Sequence, residues 1–164
     1  MKRLIFGAFC VAMTMVGTIS TAQAQTANSS PSTTQIVAAD ADPMDTESTE
    51  LGAATHFIDV KVEGNPISQL KIGFPDGLKV VQGVQVAARS KQPVKATVST
   101  NANGSTVNFA QPVQPGTTLK IALRGVRGSI NNDDIWFYPI SVRYIGETED
   151  IPVGTAQIQT YEDD

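Results

Sequence analysis

Three consecutive aromatic residues, Trp136-Phe137-Tyr138, are the part of this sequence best suited to chemistry at a surface. In an extended chain successive side chains point to opposite faces, so Phe137 must face away from both neighbours. Exposed, Trp136 and Tyr138, with Tyr144 further on, would make a flat platform for stacking a sugar ring, and Asn131 and Asn132 would hydrogen-bond its hydroxyls. Buried, the rings would fill a core, each removing ~150–250 Å² from water. The burial of Trp136 decides between these readings. Arg124 and Arg127, with Arg143, are a second candidate. They could hold an anionic polymer or a partner's acidic tail, or pair with Asp133, Asp134 or the acidic run Glu147-Thr148-Glu149-Asp150.

Other chemistries lack their residues. His56 is the single histidine, and it stands just before the first predicted strand, where a partly exposed boundary residue is expected rather than a ligand or base. One histidine and one cysteine, Cys10, cannot assemble a blue-copper or His-rich zinc site. Carboxylate chemistry survives on composition through acids such as Asp133 and Glu147. However, Asp133 and Asp134 would point to opposite faces of a strand, and Asn131-Asn132-Asp133-Asp134 reads first as a turn. Gly125-Val126-Arg127-Gly128 lacks the strand-to-helix setting of a phosphate loop. No cofactor or metal is expected.

The ends of the chain differ from its middle. Residues 1–24 have the three parts of a secretory signal: Lys2 and Arg3, an apolar run from Leu4 to about Ile19, and small residues at Ala22-Gln23-Ala24. The run contains Gly7, Thr14, Gly17 and Thr18 and falls short of the ~20 apolar residues of a membrane span. Cys10 leaves with the signal, so the mature chain has no thiol and no disulfide. Lys2 and Arg3 leave too, and 16 acidic residues then outweigh the remaining basic ones. That balance argues against nucleic acid or anionic lipid as a partner. Residues 25–54 are rich in small polar side chains with Asp40, Asp42, Asp45, Glu47 and Glu50 among them, and read as a disordered acidic tether. The tether lacks the glycine and ligand spacing of a calcium-binding EF-hand loop.

Residues 55–162 keep a period of two and read as one folded domain. Ile58, Val60 and Val62 alternate with polar neighbours, as do Leu70, Ile72 and Phe74 before the turn Pro75-Asp76-Gly77. Residues 78–88 make a third region, interrupted at Gln82-Gly83, either one bulged strand or two short ones. Asn101-Ala102-Asn103-Gly104 separates two alternating runs, a strong hairpin signal. Residues 115–144 read as a central hairpin of two strands, Leu119 to Leu123 and Ile135 to Ile140, with Pro139 marking an edge or bulge. In the last strand Ala156, Ile158 and Thr160 share a face. The sequence therefore predicts an all-β, antiparallel β-sandwich of immunoglobulin-like size with seven to nine strands.

Several ordered pieces carry a family likeness: Asn65-Pro66-Ile67-Ser68-Gln69-Leu70 leading to Pro75-Asp76-Gly77, then Pro115-Gly116-Thr117-Thr118-Leu119, Trp136-Phe137-Tyr138-Pro139-Ile140-Ser141, and the run from Ile151-Pro152-Val153-Gly154 to Tyr161. With them the chain resembles a family of small exported cyanobacterial proteins that carry a domain of unknown function. The resemblance implies a periplasmic, outer-envelope or extracellular destination and supplies no catalytic or binding residues. The expected protein is a non-enzymatic, exported cell-envelope component, without a transmembrane span after signal cleavage. It would act as an interaction or structural module toward an envelope protein or polysaccharide. A glycan-binding module on Trp136 and Tyr138 is the alternative, and a carboxylate-based hydrolase a third reading.

Overall fold

A computed structural model describes residues 33–42, 54–90, 94–128 and 135–159. Among them nine strands form two antiparallel sheets. One sheet has the order β1 (Gln35–Asp42), β2 (Ala54–Lys61), β7 (Thr118–Arg127), β4 (Lys79–Ala88). The other has the order β5 (Ala96–Asn101), β6 (Gly104–Val113), β3 (Ile67–Gly73), β8 (Ile135–Tyr144), β9 (Ile151–Gln159). The domain is an all-β sandwich, as the alternation predicts.

Period-two patterning fixes which face of each strand is internal. Ile58 and Val60 of β2 lie opposite Ile121 and Leu119 of β7, and all four are fully buried. Leu70 of β3 sits between Val107 of β6 and Val142 of β8, and Ile72 faces Ile140, so both sheets point their branched side chains into one shared core. Each such side chain contributes roughly 1.5–3 kcal/mol through burial. Turns follow their residues: Leu78 N–H donates to Pro75 C=O at 3.2 Å across Asp76-Gly77, with Gly77 at φ 81°. The β5–β6 hairpin closes on Asn101 and Gly104, leaving Ala102 and Asn103 as its loop. A Cβ on Gly104 would lie 2.2 Å from the Ile72 carbonyl oxygen, so β6 approaches β3 there only because the side chain is absent. Of the two readings of residues 78–88 the structure takes one bulged strand, β4, with its register shift between Val80 and Gly83.

Three expectations need correction. β1 lies inside the stretch read as a disordered tether: its eight residues pair with β2, and Ile36, Ala39 and Ala41 pack against the core. Small alanines suffice at a sheet edge, where a strand has only one neighbour and one buried face. The remainder of the tether, residues 25–32 and 43–53, and the signal segment lie outside the described residues. Second, β7 and β8 are not a hairpin, because they belong to opposite sheets. Each is apolar on one face, and face-to-face packing buries both faces together; the long connection between Arg127 and Ile135 suits a crossing between sheets better than a tight turn. Third, Pro139 is not on an edge strand, since β8 lies between β3 and β9. Its missing N–H is tolerated because the β3–β8 ladder stops at Ile72 and Ile140. A register shift in the β8–β9 ladder follows between Ile140 and Ser141, so a bulge does occur beside the proline. Among the described residues no helix is long and apolar enough to cross a membrane.

Candidate functional site

β8 sorts its aromatics strictly. Tyr138 is fully buried, Trp136 is half-buried against the core, and Phe137 between them stands 52% exposed on the outer face of the five-stranded sheet. Ile135 and Pro139 share that outer face with Phe137 and are exposed as well. On the neighbouring strand β9, Gln159, Gln157 and Thr155 lie opposite Ile135, Phe137 and Pro139 in turn, all of them exposed. An apolar row therefore runs beside a row of amides and a hydroxyl.

From Pro139 the same face continues into a shallow groove of about 550 Å³, lined among others by Lys71, Gly73, Thr106, Ser141 and Thr155. The strand register explains the grouping, for Lys71 of β3 lies between Thr106 of β6 and Ser141 of β8. Gly73 makes room for the proline ring: a Cβ there would meet Pro139 Cγ at 2.6 Å. Lys71 Nζ donates to Asp150 Oδ2, while Arg143 Nε donates to Asp150 Oδ1 at 3.0 Å. The hydrogen bond from Lys71, followed by that from Arg143 and the charges of both, holds the Asp150 carboxyl below the usual carboxylate range. Two cations on this face thus share one carboxylate, and Gln69 Nε2 donates to Asn108 Oδ1 at 2.6 Å beside them.

The histidine is placed otherwise than expected. His56 is 1% exposed, and its Nδ1 lies 2.7 Å from the Tyr138 hydroxyl. The rings pack edge to face, 5.7 Å apart, with Trp136 at 6.3 Å from the imidazole. Burial lowers the His56 pKa to about 4 and raises that of the Tyr138 phenol. At neutral pH an uncharged imidazole and phenol therefore share one hydrogen bond between the two sheets, and the imidazole faces no solvent. The signal was present in the sequence: His56 has the same parity as Ile58 and Val60, which places it on the inward face.

The other candidate residues are dispersed. A platform of Trp136 and Tyr138 is excluded by the burial of Tyr138, whose parity matches the core residues Ile140 and Val142. Tyr144 is half-buried against the same core, and its hydroxyl accepts the Thr34 N–H at 3.4 Å. Arg124 and Arg127 lie on β7, opposite Gly83 and Lys79 of β4, whereas Arg143 lies on the other sheet, so the three make no common cationic patch. Arg143 pairs within the acidic run, as its sequence setting suggests. Asn131, Asn132, Asp133 and Asp134 lie outside the described residues. Glu147 is exposed in the turn after β8, its N–H donating to the Tyr144 carbonyl at 3.2 Å. Phe137 is the residue that sequence reasoning left unassigned.

Fold and site together define a two-sheet β-sandwich whose single histidine is internal and whose most exposed aromatic ring among the described residues, Phe137, lies on the outer face of the five-stranded sheet. Residues 43–156 match the family of proteins of unknown function DUF2808, and the chain belongs to that family. None of the curated proteins matches it. Among solved structures it is similar to BslA, described as a bacterial hydrophobin, at a TM-score of 0.42 and 12% identity, covering 79% of this chain and 92% of that one. It is also similar to the collagen-binding domain of a Staphylococcus aureus adhesin, at a TM-score of 0.40 and 11% identity, covering 77% and 97%. Neither similarity transfers a ligand or an activity to this chain.

Proposed function

We propose that the mature protein is a non-enzymatic, exported module of the cell envelope, in the periplasm, the outer envelope or outside the cell. In this reading it docks other envelope components on the outer face of its five-stranded sheet. The leader at residues 1–24 supports export, and the burial of His56 withdraws the single histidine from any role as a solvent-facing base. The observation that carries the reading is the exposure of Phe137 between two rings that are turned inward. With Ile135 and Pro139 it forms a contiguous apolar row edged by amides and hydroxyls, which is the make-up of a contact surface rather than of a merely solvated one.

The test is cosedimentation of the purified mature chain with washed envelope fragments, comparing the wild type with Phe137→Ser. The wild type should pellet with the fragments and the variant should stay in the supernatant while keeping its melting temperature. Wild-type protein that remains soluble, or a variant that pellets equally, overturns the docking face. Hydrolysis of a cell-wall or phosphoester substrate, abolished by a single Asp or Glu substitution, overturns the non-enzymatic reading.

A further inference from the structure

We infer that the ligand of this face is a neutral polysaccharide, with one pyranose ring stacked on Phe137 and the chain continuing into the groove beside Pro139, where Thr155, Ser141 and Thr106 bond its hydroxyls. The inference rests on the docking reading above and specifies its ligand. Phe137 offers an open apolar ring, and the C–H face of a pyranose is apolar and flat enough to lie on it. Around that ring the partners are amides and hydroxyls, Gln157 opposite Phe137 and Thr155 opposite Pro139. Both group types donate and accept, as sugar hydroxyls do, and so match either sense of hydrogen bond.

Charge selects among polymers. Lys71 in the groove lining and Arg143 on the same sheet face both spend their charge on Asp150, so among the described residues that line the groove an acidic polymer meets no cation whose charge is not already shared. A protein partner of ordinary affinity wants a broad apolar patch at the centre of its contact. Here the exposed apolar row is one strand wide and bordered along β9 by Gln159, Gln157 and Thr155. The geometry is elongated as well: the ring and the groove meet at Pro139, so a chain fits better than a single sugar. The groove volume, about 550 Å³, lies within the range of small-ligand sites.

Affinity gel electrophoresis of the mature chain tests the inference, with laminarin, mannan or hydroxyethylcellulose in the gel as neutral probes and polygalacturonate as the acidic one. At least one neutral polymer should retard the wild type, unchanged between low and high salt. Phe137→Ala should weaken that retardation about tenfold, Phe137→Trp should retain it, and Thr155→Val should weaken it a few-fold, roughly the loss of one hydrogen bond. Retardation by none of the neutral polymers, retardation only by polygalacturonate and only at low salt, or full retardation of Phe137→Ala each overturns the neutral-glycan assignment. The two levels separate cleanly. If envelope fragments bind through Phe137 while the neutral polymers neither retard nor compete, the ligand class falls and the docking module stands. If the fragments do not bind either, both fall.

Discussion

His56 Nδ1 on β2 and the Tyr138 hydroxyl on β8 meet at 2.7 Å inside the sandwich, joining its two sheets by a hydrogen bond between side chains 82 positions apart. Neither group has access to water, so each depends on the other for its polar contact. Removing one partner should therefore cost more than removing both. Tyr138→Phe strands the imidazole nitrogen and should destabilise the domain by about 1–3 kcal/mol. The double variant His56→Leu with Tyr138→Phe should recover part of that loss, because neither atom of this hydrogen bond is then left buried without the other. Urea unfolding of the four species, read as a double-mutant cycle, measures the coupling. Additive losses would show that the bond contributes nothing of its own.

The same pair makes stability depend on pH in one direction. The native His56 pKa is lowered from 6.5 to about 4 by burial, so over that interval the unfolded chain binds a proton that the native chain refuses. Stability is complete above pH 6.5 and drains as pH falls toward 4, by about 3 kcal/mol over the full window. His56 is the single histidine, so His56→Gln should flatten this limb. A second, more acid limb belongs to Asp150, whose lowered pKa means that its contribution is lost only as its carboxylate takes up a proton. Melting temperatures of wild type and His56→Gln at intervals from pH 8 to 3 check both limbs. A slope between pH 6.5 and 4 that survives the substitution would assign it to another group.

Asp150→Asn should change what the sheet face binds more than how stably it folds. The carboxylate is shared by Lys71 and Arg143, both partly exposed, and a surface pair of this kind contributes about 0–1 kcal/mol. With the acceptor charge removed, both cations border the groove unneutralised. The variant should melt within a few degrees of the wild type yet acquire retardation by polygalacturonate, which salt then suppresses. Unchanged behaviour toward the acidic polymer would show that charge sharing at Asp150 does not set the selectivity of this face.

Much of this was legible in the sequence, and the exceptions have definite causes. The alternation of Ile58 with Val60, of Leu70 with Ile72 and of Leu119 with Ile121 is enough to give strands and their inward faces. It cannot give the sheet to which a strand belongs: β7 and β8 are adjacent in sequence and equally apolar, and only packing against a shared core separates them. On β8 the parity of Ile140 and Val142 against Ser141 and Arg143 already turned Phe137 outward and Tyr138 inward. The platform reading failed because it weighed ring size and left that parity unused. The groove was illegible, for Thr106, Ser141 and Thr155 come from three strands brought together by long-range pairing. β1 was missed because its core-packing residues are one isoleucine and two small alanines, Ile36, Ala39 and Ala41, only partly buried and put out of phase by a bulge near Val37 that breaks the period of two.

β1 supplies the last prediction, since a disordered tether and an edge strand respond differently to charge. Ile36 lies opposite Val60 and packs on the core, its Cδ1 reaching to 3.6 Å of where a Cβ on Gly154 of β9 would stand. Val37 sits in the bulge, 48% exposed. Ile36→Asp places a carboxylate against apolar neighbours on both sheets and should destabilise by roughly 2 kcal/mol or more. Val37→Asp, one residue away, should stay within about 0.5 kcal/mol of the wild type. Loss of β1 uncovers the backbone donors and acceptors of β2, so Ile36→Asp should also self-associate on warming, which light scattering would detect. In a tether both substitutions would be silent. Equal unfolding midpoints for the two variants would therefore return residues 35–42 to the tether.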